Sequence, residues 1–348
     1  GNKRQIQKMN PKTYIIILNY QTWADKIECL ESVLRNDYLN YQIIVIDNNS
    51  PNDSMHYIKD WADGKLYVRP EPEKSDNSLR HLSHPPSSKP LPYVFYTKEE
   101  AEKGGNKNLE LKCKNPLILI QTNYDGGFAF GSNVGIKYAL AKDDFEYLWL
   151  LNNDTVIERD SLTKLVEKFQ EYKKHKKKVG MIGSKVLFYR DPNIINAAGG
   201  GTYNKWFGVG KLLGTFQEDK GQYNVSELKI ESVYRASCFL RKDFIHEIGI
   251  MCEDYFLYYE EEDLAFRGKQ KGWQLGYCWQ SKVYHKQGLS IDLNSKEEDK
   301  SEFADYYWLR NRIVFTKKFF PTYLLSVYLG FIGAIFNRIR RKQYKRIK

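Results

Sequence analysis

The sequence predicts an α/β fold with a mostly parallel sheet, and two patterns support that prediction. Short apolar runs rich in β-branched residues occupy positions 14–18 and 43–46, which is typical of strands buried on both faces. Between them, residues 23–35 carry apolar side chains at helical spacing. A strand, a helix and a second strand in this order form a βαβ unit, whose two strands run parallel.

The composition is that of a folded chain with a surplus of positive charge. The 348 residues include 54 Lys and Arg against 43 Asp and Glu, a formal net charge of +11, and 42% are hydrophobic. This hydrophobic fraction excludes global disorder, and the length suggests two domains or one large α/β domain. Five widely spaced cysteines without a Cys-x-x-Cys pair argue against a disulfide scaffold or structural zinc, and indicate a reducing compartment. The charge favours an anionic partner: nucleic acid, a phosphorylated substrate or an anionic membrane.

Further strands and helices alternate along the chain. Residues 1–10 lack an apolar core, so we expect no secretory signal there. The later predicted strands are 117–120, 147–151, 181–188, 232–240 and 274–277. The predicted helices are a helical stretch after residue 50, a helix ending near 141 and a helix over 160–172. Glycines between 188 and 232 predict hairpins and loops. A Pro-rich stretch at about 70–116 predicts an insertion, partly ordered around 93–96, that either covers the active site or is a tolerated surface loop.

Polar residues stand where three of these strands end. Asn19 follows the first strand, Asp47 the second, and Asn152-Asn153-Asp154 the strand at 147–151. Parallel sheets bind ligands beyond the carboxyl ends of their strands. Asp154 is therefore placed to hold Mg²⁺ or Mn²⁺, which prefer oxygen ligands and share them with substrate phosphates. Both motifs are also good turn sequences, so a purely structural role stays open.

Three further motifs carry possible chemistry. Glu260 to Asp263 are four consecutive carboxylates between aromatic and apolar residues. Like charges this close raise one another's pKa, which suits a general base, whereas a solvated acidic run is the alternative. His285 becomes a credible metal ligand only if the fold brings it beside Asp154. Glycines at 126–135 precede a predicted helix, where backbone approaches a phosphate, but they match neither the Walker nor the dinucleotide spacing.

The end of the chain differs from the rest. Residues 319–336 carry no charge, and seven basic residues without an acid follow within 338–348. About 18 mostly apolar residues are at the lower limit for a membrane span. We predict a helix lying in a membrane interface, followed by a polybasic anchor for anionic lipid; a buried helix with a basic tail is the alternative. Because the basic residues do not form a stripe through the domain, we expect no nucleic-acid partner.

Together the motifs resemble the inverting glycosyltransferases of family 2, which have the GT-A fold, and especially their rhamnosyltransferase-like branch. The resemblance runs from about residue 14 to 320, without the Pro-rich stretch. The motifs are Ile-Ile-Leu-Asn-Tyr (16–20), Val-Ile-Asp-Asn-Asn-Ser (45–50), Asn-Tyr-Asp-Gly-Gly-Phe-Ala-Phe-Gly-Ser-Asn-Val-Gly-Ile (123–136), Leu-Leu-Asn-Asn-Asp-Thr (150–155), Tyr-Phe-Leu-Tyr-Tyr-Glu-Glu-Glu-Asp-Leu-Ala-Phe-Arg (255–267), Val-Tyr-His-Lys-Gln-Gly-Leu-Ser (283–290) and Tyr-Tyr-Trp-Leu-Arg-Asn-Arg (306–312). Each is modest, but their order and spacing make the match specific.

The resemblance implies a layout and a donor site. It implies a Rossmann-like GT-A domain over residues 1–316, with a nucleotide-binding half at about 12–155, an acceptor half at about 156–316, and a helix with a basic tail at 317–348. The implied site residues are Asp47 on the nucleotide base with Asn19 nearby, Asn153 on the donor, Asp154 holding Mg²⁺ or Mn²⁺ on its diphosphate, His285 as the second metal ligand, and Arg310 on the donor phosphate or the acceptor.

Two departures from the family pattern leave roles open. The family usually reads Glu-Asp-x-Asp where this chain has Glu260-Glu261-Glu262-Asp263. The usual base position is then Glu261, and the choice between it and Glu260 stays open. The Asn-x-Gly-Phe pattern is widened here, so either Asn123 or Asp125 takes the donor contact.

The implied activity is inverting transfer of a sugar from a nucleotide-diphosphate donor, dTDP-rhamnose or a UDP-hexose. The acceptor would be a saccharide or lipid-linked precursor of a bacterial surface polysaccharide, such as capsule or lipopolysaccharide. We expect a cytoplasmic enzyme, peripheral on the inner face of the cell membrane. The alternatives are a sugar-phosphate nucleotidyltransferase and a non-catalytic basic module that binds membrane or nucleic acid.

Overall fold

A ten-stranded sheet is the centre of the computed structural model, which describes residues 10–68, 78–286 and 302–342. The strand order is β3-β4-β2-β1-β5-β12-β7-β13-β6, with β8 paired to β7, and a second sheet has the order β10-β9-β11. The strands are β1 Thr13–Asn19, β2 Tyr41–Asp47, β3 Tyr93–Thr97, β4 Leu117–Gln121, β5 Tyr147–Asn152, β6 Thr155–Ile157, β7 Val179–Phe188, β8 Ile195–Ala198, β9 Gly200–Asn204, β10 Val209–Leu212, β11 Ser232–Val233, β12 Ser237–Arg241 and β13 Gln274–His285.

Helices cover both faces of the large sheet. They are α1 Trp23–Leu34, α2 Ser54–Ala62, α3 Lys98–Glu102, α4 Lys107–Glu110, α5 Gly127–Lys142, α6 Ser161–Lys174, α7 Lys242–Ile248, α8 Glu260–Gln270, α9 Glu302–Phe319 and α10 Leu324–Arg340. Strand β1 shows why the sheet is covered twice: Ile15 and Ile17 pack into one apolar cluster with α1 and α6, while Tyr14 and Ile16 pack into another with α5 and α8.

The sheet is mostly parallel, as predicted. β1 pairs in parallel with β2 and β5, β2 with β4, and β4 with β3. β12 runs antiparallel to β5 and β7, and β6 runs antiparallel to β13. The carboxyl ends of β1, β2 and β5 therefore meet at one edge, which brings Asn19, Asp47 and Asn152 together.

Two predicted strands have different bounds. Residues 232–240 form two strands in different sheets, β11 and β12, because residues 234–236 leave the extended pairing. The strand predicted at 274–277 continues as β13 to His285, since it pairs along β7 as far as Phe188. This extension places His285 inside the sheet.

The prediction that the glycines at 126–135 precede a helix is wrong for two of them. Helix α5 begins at Gly127, so Gly131 and Gly135 lie within it and do not precede it. A Cβ on Gly131 would lie 2.3 Å from the side chain of Leu18, and one on Gly135 would lie 2.9 Å from Ile16. Both glycines thus allow the helix to approach β1, and they are not a phosphate loop.

Part of the Pro-rich stretch belongs to the regular structure. Residues 93–96, predicted as its ordered part, lie in edge strand β3, and α3 and α4 follow it. Several predictions fall outside the described residues: the absence of a leader in residues 1–9, the start of the Pro-rich stretch at 70–77, residues 287–290 of the His285 motif, and the basic residues after Lys342.

A glycine allows the start of α5 to contact the loop before α8. The backbone N–H of Phe128 donates to the carbonyl of Phe256 at 2.9 Å. A Cβ on Gly127, whose φ is +86°, would lie 2.2 Å from that carbonyl oxygen. Only glycine permits this contact, because the φ is left-handed and the space is already filled.

Gly127→Ala therefore destabilises the protein strongly. Gly272→Ala is the matched control, because Gly272 has φ +79° but nothing within 4 Å of its Cβ position. For the control we expect the free energy of unfolding to fall by about 1 kcal/mol because of the backbone conformation alone. For Gly127→Ala we expect it to fall by roughly 3 kcal/mol or more because of the added overlap. Urea unfolding of both variants measures the difference; equal losses would show that the Phe256 contact is dispensable.

Candidate active site

A cavity of about 300 Å³ lies at the carboxyl ends of the central strands. Its walls come from the ends of β1 and β5 with the residues beside them, the start of α5, the loop before α8, and three single residues, Asn48, Arg235 and Phe303. The sequence-predicted residues that line it are Asp125, Asn153 and Asp154. A larger open groove of about 800 Å³ lies between the β9–β10 hairpin, α8 and the end of α9, and its lining contains none of the predicted site residues.

Asp154 and His285 are in contact because of strand pairing. Asn153 and Asp154 connect β5 to β6, and β6 pairs antiparallel with the end of β13, so that Thr155 lies opposite His285. The backbone N–H of Lys286 donates to the carbonyl of Asp154 at 2.9 Å. Asp154 Oδ1 is 3.2 Å from His285 Nε2, and both residues are buried.

The other ring nitrogen of His285 is held by neighbours. Nδ1 lies 3.0 Å from Oδ1 of Asn196 and 3.4 Å from the hydroxyl of Tyr234. Such contacts fix the orientation of a histidine ring and direct its free nitrogen. Here they direct Nε2 toward Asp154.

The pair has unused bonding capacity. Asp154 Oδ2 makes no hydrogen bond to any described residue, and the 3.2 Å contact of His285 Nε2 with Asp154 Oδ1 is not aligned as a hydrogen bond. Buried polar atoms without partners are uncommon in native proteins and point to an absent ion, water or ligand. Burial opposes ionisation of Asp154, but the attraction of His285 prevails and lowers the pKa of the carboxyl below its usual value.

The donor set fits a divalent cation that is shared with a ligand. A carboxylate oxygen and an imidazole nitrogen suit Mn²⁺, and the carboxylate suits Mg²⁺. Among the residues that the structure describes, no group of three or more His, Cys, Asp or Glu side chains is arranged to hold a metal. Asp154 and His285 would thus supply two ligands, and the others would come from water and a bound phosphate.

The acidic run at the start of α8 divides into two parts. Asp263 is fully paired: its carboxylate accepts from Tyr255, Arg267 and Lys318. Both carboxylate oxygens of Glu260 and one of Glu261 are buried without a partner among the described residues. The alternative of a solvated acidic run is wrong, because only Glu262 is partly exposed.

The pKa values of this pair are raised. Burial raises the pKa of Glu260, and burial together with the charge of Glu260 raises that of Glu261 well above its usual value. Arg235 opposes both shifts. The backbone before the pair is strained, since Phe256, Tyr258 and Tyr259 all have positive φ values, and such strain concentrates at functional sites.

Arg235 is the residue that sequence reasoning missed. It lines the cavity, its guanidinium lies 5.0 Å from the ring of Tyr258, and its charge acts on Asp154, Glu260 and Glu261. No motif marks it, because the sequence places it in the middle of a predicted strand. Asp154, His285, Arg235 and the two glutamates thus form one electrostatic cluster.

Asp47 has a different setting from that of Asp154. Oδ1 accepts from Asn19 Nδ2 at 2.7 Å and from the Ser50 hydroxyl at 2.6 Å; Oδ2 accepts from Ser50 N and from Gln121 Nε2, both at 3.0 Å. Asn19 and Asp47 are buried and do not line the cavity, whereas the neighbouring Asn48 does. Asn153 donates to Thr22 at 2.5 Å and reaches Asn19 at 3.4 Å.

Asn123 and Asp125, the two candidates for the donor contact, have different positions relative to the cavity. Asp125 lines the cavity just before α5, and it accepts from Asn48 Nδ2 at 2.7 Å and from the N–H of Gly127 at 3.0 Å. Asn123 is exposed and is not part of the lining.

Arg310 also lies outside the cavity lining. Its Nη1 donates to the carbonyl of Asp254 at 2.8 Å and to Asn311 Oδ1 at 2.7 Å. Asn311 in turn donates to the carbonyls of Tyr255 and Leu257. The pair fixes the loop that precedes Glu260, which is the contribution that the structure shows for this motif.

Comparison with known proteins finds one family profile, one distant relative and two solved structures with a similar fold. Residues 14–79 match the profile of Glycosyl transferase family 2. The low-salt glycan biosynthesis hexosyltransferase Agl10 of Haloferax volcanii is 23% identical over 221 residues, which are 63% of this chain and 66% of that protein, just under two thirds of its length.

Two solved structures share the fold. The mannosyltransferase PcManGT of Pyrobaculum calidifontis, in complex with GDP-Man and Mn²⁺, has a TM-score of 0.50 and 11% identity over 94% of this chain and 75% of its own. GalNAc-T7 with UDP, GalNAc and Mn²⁺ has a TM-score of 0.51 and 14% identity over 87% of this chain and 51% of its own. The profile match is thus limited to residues 14–79, and the two solved structures show that the fold is shared.

The raised pKa values of the glutamate pair predict how stability depends on pH. A carboxyl whose pKa is raised by folding stabilises the protein fully below its ordinary pKa, and that contribution is lost as pH rises through the raised value. The double variant Glu260→Gln and Glu261→Gln is therefore more stable than the parent at pH 8, by roughly 1–2 kcal/mol, and the gain shrinks toward pH 5.

Thermal unfolding in EDTA between pH 5 and 8 measures this difference. Glu99→Gln is the control, because Glu99 is exposed on α3. A gain that does not change with pH, or equal curves for parent and double variant, would contradict the raised pKa values.

Proposed function

We propose that this chain is an inverting, divalent-metal-dependent glycosyltransferase. It transfers a hexose from a nucleotide-diphosphate sugar, such as dTDP-rhamnose or a UDP-hexose, to a hydroxyl of a saccharide or lipid-linked acceptor. The observation that carries the proposal is the buried pair of Asp154 and His285, with unused ligand atoms, beside a cavity that Arg235 connects electrostatically to two high-pKa glutamates. The glycan biosynthesis role of the Haloferax relative agrees with this acceptor class.

The residues supply the parts of a single displacement. Asp154 and His285 would hold Mg²⁺ or Mn²⁺, which when bound neutralises charge on the departing diphosphate. Glu261, or Glu260 beside it, accepts the proton of the acceptor hydroxyl. The hydroxyl oxygen forms its bond to the anomeric carbon as the bond to the diphosphate oxygen breaks, and one displacement inverts the configuration. The raised pKa of the glutamates makes them effective bases near neutral pH.

The donor contacts follow the position of each residue. Asp125 and Asn153 line the cavity and are placed to contact the donor directly. The backbone N–H of Asn48 donates to the carbonyl of Asn19 at 2.8 Å, and the proposed role of Asn19 and Asp47 is to support Asn48 at the cavity wall. Asn123 and Arg310 lie outside the cavity lining, and the support that Arg310 gives to the loop before Glu260 is its proposed role.

The C-terminal helix supports a location at the membrane. Residues 321–340 are long and apolar enough to cross a membrane by length and composition, which alone is weak evidence. Val327 is the one buried residue described for α10, so the alternative of a buried C-terminal helix does not hold for this segment. We propose a peripheral enzyme on the inner face of the cell membrane, attached through α10 and the basic residues after it.

Nucleoside diphosphate release from a panel of nucleotide sugars tests the activity. We expect one donor to be consumed only with Mg²⁺ or Mn²⁺ present. Asp154→Ala should lower the rate by about a thousandfold or more because leaving-group charge is no longer neutralised, and His285→Gln by roughly 10–100-fold. Asp63→Ala and His246→Gln are controls at surface positions. Full activity in Asp154→Ala, or consumption of nucleoside triphosphate with a sugar phosphate, would contradict the proposal; the second result would support the nucleotidyltransferase.

Replacing Arg235 should shift the pH dependence of kcat. The guanidinium lowers the pKa of Glu260 and Glu261, so its removal raises their pKa further. Arg235→Met should move the acidic limb of kcat to higher pH, while Arg241→Met, which breaks a surface pair with Asp243, leaves it in place. An unshifted limb in Arg235→Met, measured over pH 5–9 on the active donor, would show that the base is not in this cluster.

A further inference from the structure

Two exposed aromatic residues lie at the tip of the β9–β10 hairpin. Trp206 and Phe207 are 58% and 53% exposed. The turn they belong to is fixed through its backbone: Ser326 donates to the carbonyl of Trp206 at 2.7 Å, Arg312 donates to that of Phe207, and Tyr259 donates to that of Gly208 at 2.7 Å. The structure therefore holds the backbone rigidly and leaves both large side chains more than half exposed.

The hairpin tip is wedged between the two C-terminal helices. A Cβ on Gly208 would lie 2.9 Å from Thr316 of α9 and 3.2 Å from Val327 of α10. The ring of Trp206 lies 4.8 Å from that of Tyr323, edge to face. The hairpin and the start of α10 are thus one packed unit, although more than 100 residues separate them in the chain.

Helix α10 adds an apolar stripe to this unit. One of its faces contacts α9, where Arg338 pairs with Asp305 and Arg312 lies over Phe331. The exposed face carries apolar residues at helical spacing: Leu325, Tyr328, Leu329, Ile332, Ile335, Phe336 and Ile339. An apolar surface of this extent marks an interaction site.

The charges near the stripe favour an anionic surface as its partner. Residues 319–342 contain no acidic residue. Exposed Arg340 ends the helix, exposed Arg341 and Lys342 follow it, and exposed Lys205 is next to Trp206 in the chain. Aromatic side chains prefer the level of lipid headgroups, and basic residues bind anionic lipid.

We propose that Trp206 and Phe207 form a second membrane-inserting element, which enters an anionic lipid bilayer together with the stripe of α10. This inference rests on the membrane location proposed above. Because Tyr259 bonds the hairpin and immediately precedes Glu260, bilayer contact through the hairpin also sets the orientation of the glutamate pair relative to the membrane.

Vesicle binding by the full chain tests the proposal. The double variant Trp206→Ser and Phe207→Ser should lose about tenfold or more in partition onto phosphatidylcholine–phosphatidylglycerol vesicles, since two large side chains no longer leave water. Leu39→Ser with Leu111→Ser is the matched control, because both leucines are exposed elsewhere. Leu329→Asp with Ile332→Asp tests the helix stripe separately.

Quenching of tryptophan fluorescence by brominated phosphatidylcholine is a second measurement, which uses the conservative variant Trp206→Phe. The chain has seven tryptophans, so the difference between the parent and Trp206→Phe isolates residue 206. We expect greater quenching in the parent. Equal quenching, or parent-like binding of the hairpin variant while the helix variant fails, would overturn the hairpin proposal and leave membrane attachment through α10 intact.

The remaining outcomes are also decisive. If the parent does not bind vesicles, both membrane proposals fail. If light scattering without lipid shows a dimer that the hairpin variant dissociates, the surface joins two copies and the proposal is wrong. Diphosphate release in the same samples reports on the proposed catalysis separately, and its absence in every variant leaves the vesicle result unaffected.

Discussion

The arrangement of the site depends on one strand pairing, that of β6 with the last residues of β13. The three residues of β6 lie antiparallel to 283–285, so the turn that carries Asp154 is held against His285. β13 is fixed independently by its long parallel pairing with β7. Two residues that are 131 positions apart are therefore brought together by backbone hydrogen bonds. Their contact does not depend on attraction between the two side chains.

The buried polar atoms that result are a cost to the folded chain. Unpaired carboxylate oxygens on Asp154, Glu260 and Glu261, together with positive φ values just before α8, oppose stability. Their neighbours are satisfied: Asp47 accepts four hydrogen bonds, and Asp263 is paired with three donors. Within the site, the unpaired buried atoms thus belong to the groups that a donor, a cation and an acceptor would contact, which is the pattern expected when stability is given up for function.

The sequence predicts the regular elements well, and the reason is local. The runs at 14–18 and 43–46 are apolar on both faces, so each identifies a buried strand by itself. The sequence also predicts that Asp154 and His285 lie together. Asp154 is recognisable because it follows a strand end, and the family resemblance implies that His285 is its partner. The prediction that the glycines of α5 precede the helix is wrong, because their contact with Leu18 and Ile16 is not visible in the local sequence.

The missed parts are those that depend on tertiary contacts. Arg235 is a basic residue in an apolar stretch, and only the fold shows that its charge reaches Asp154 and Glu261. The division of the acidic run into paired Asp263 and unpaired Glu260 depends on Arg267, Lys318 and Tyr255. Spacing along the chain carries no information about such partners.

The central claim is that Asp154 and His285 jointly bind a divalent cation with the donor diphosphate. Crystals grown with Mn²⁺ and a nucleoside diphosphate, with anomalous differences measured at the manganese edge, test it most directly. We expect one peak within coordination distance of Asp154 Oδ2, His285 Nε2 and a phosphate oxygen. A manganese peak bound to the diphosphate but remote from both side chains would contradict it.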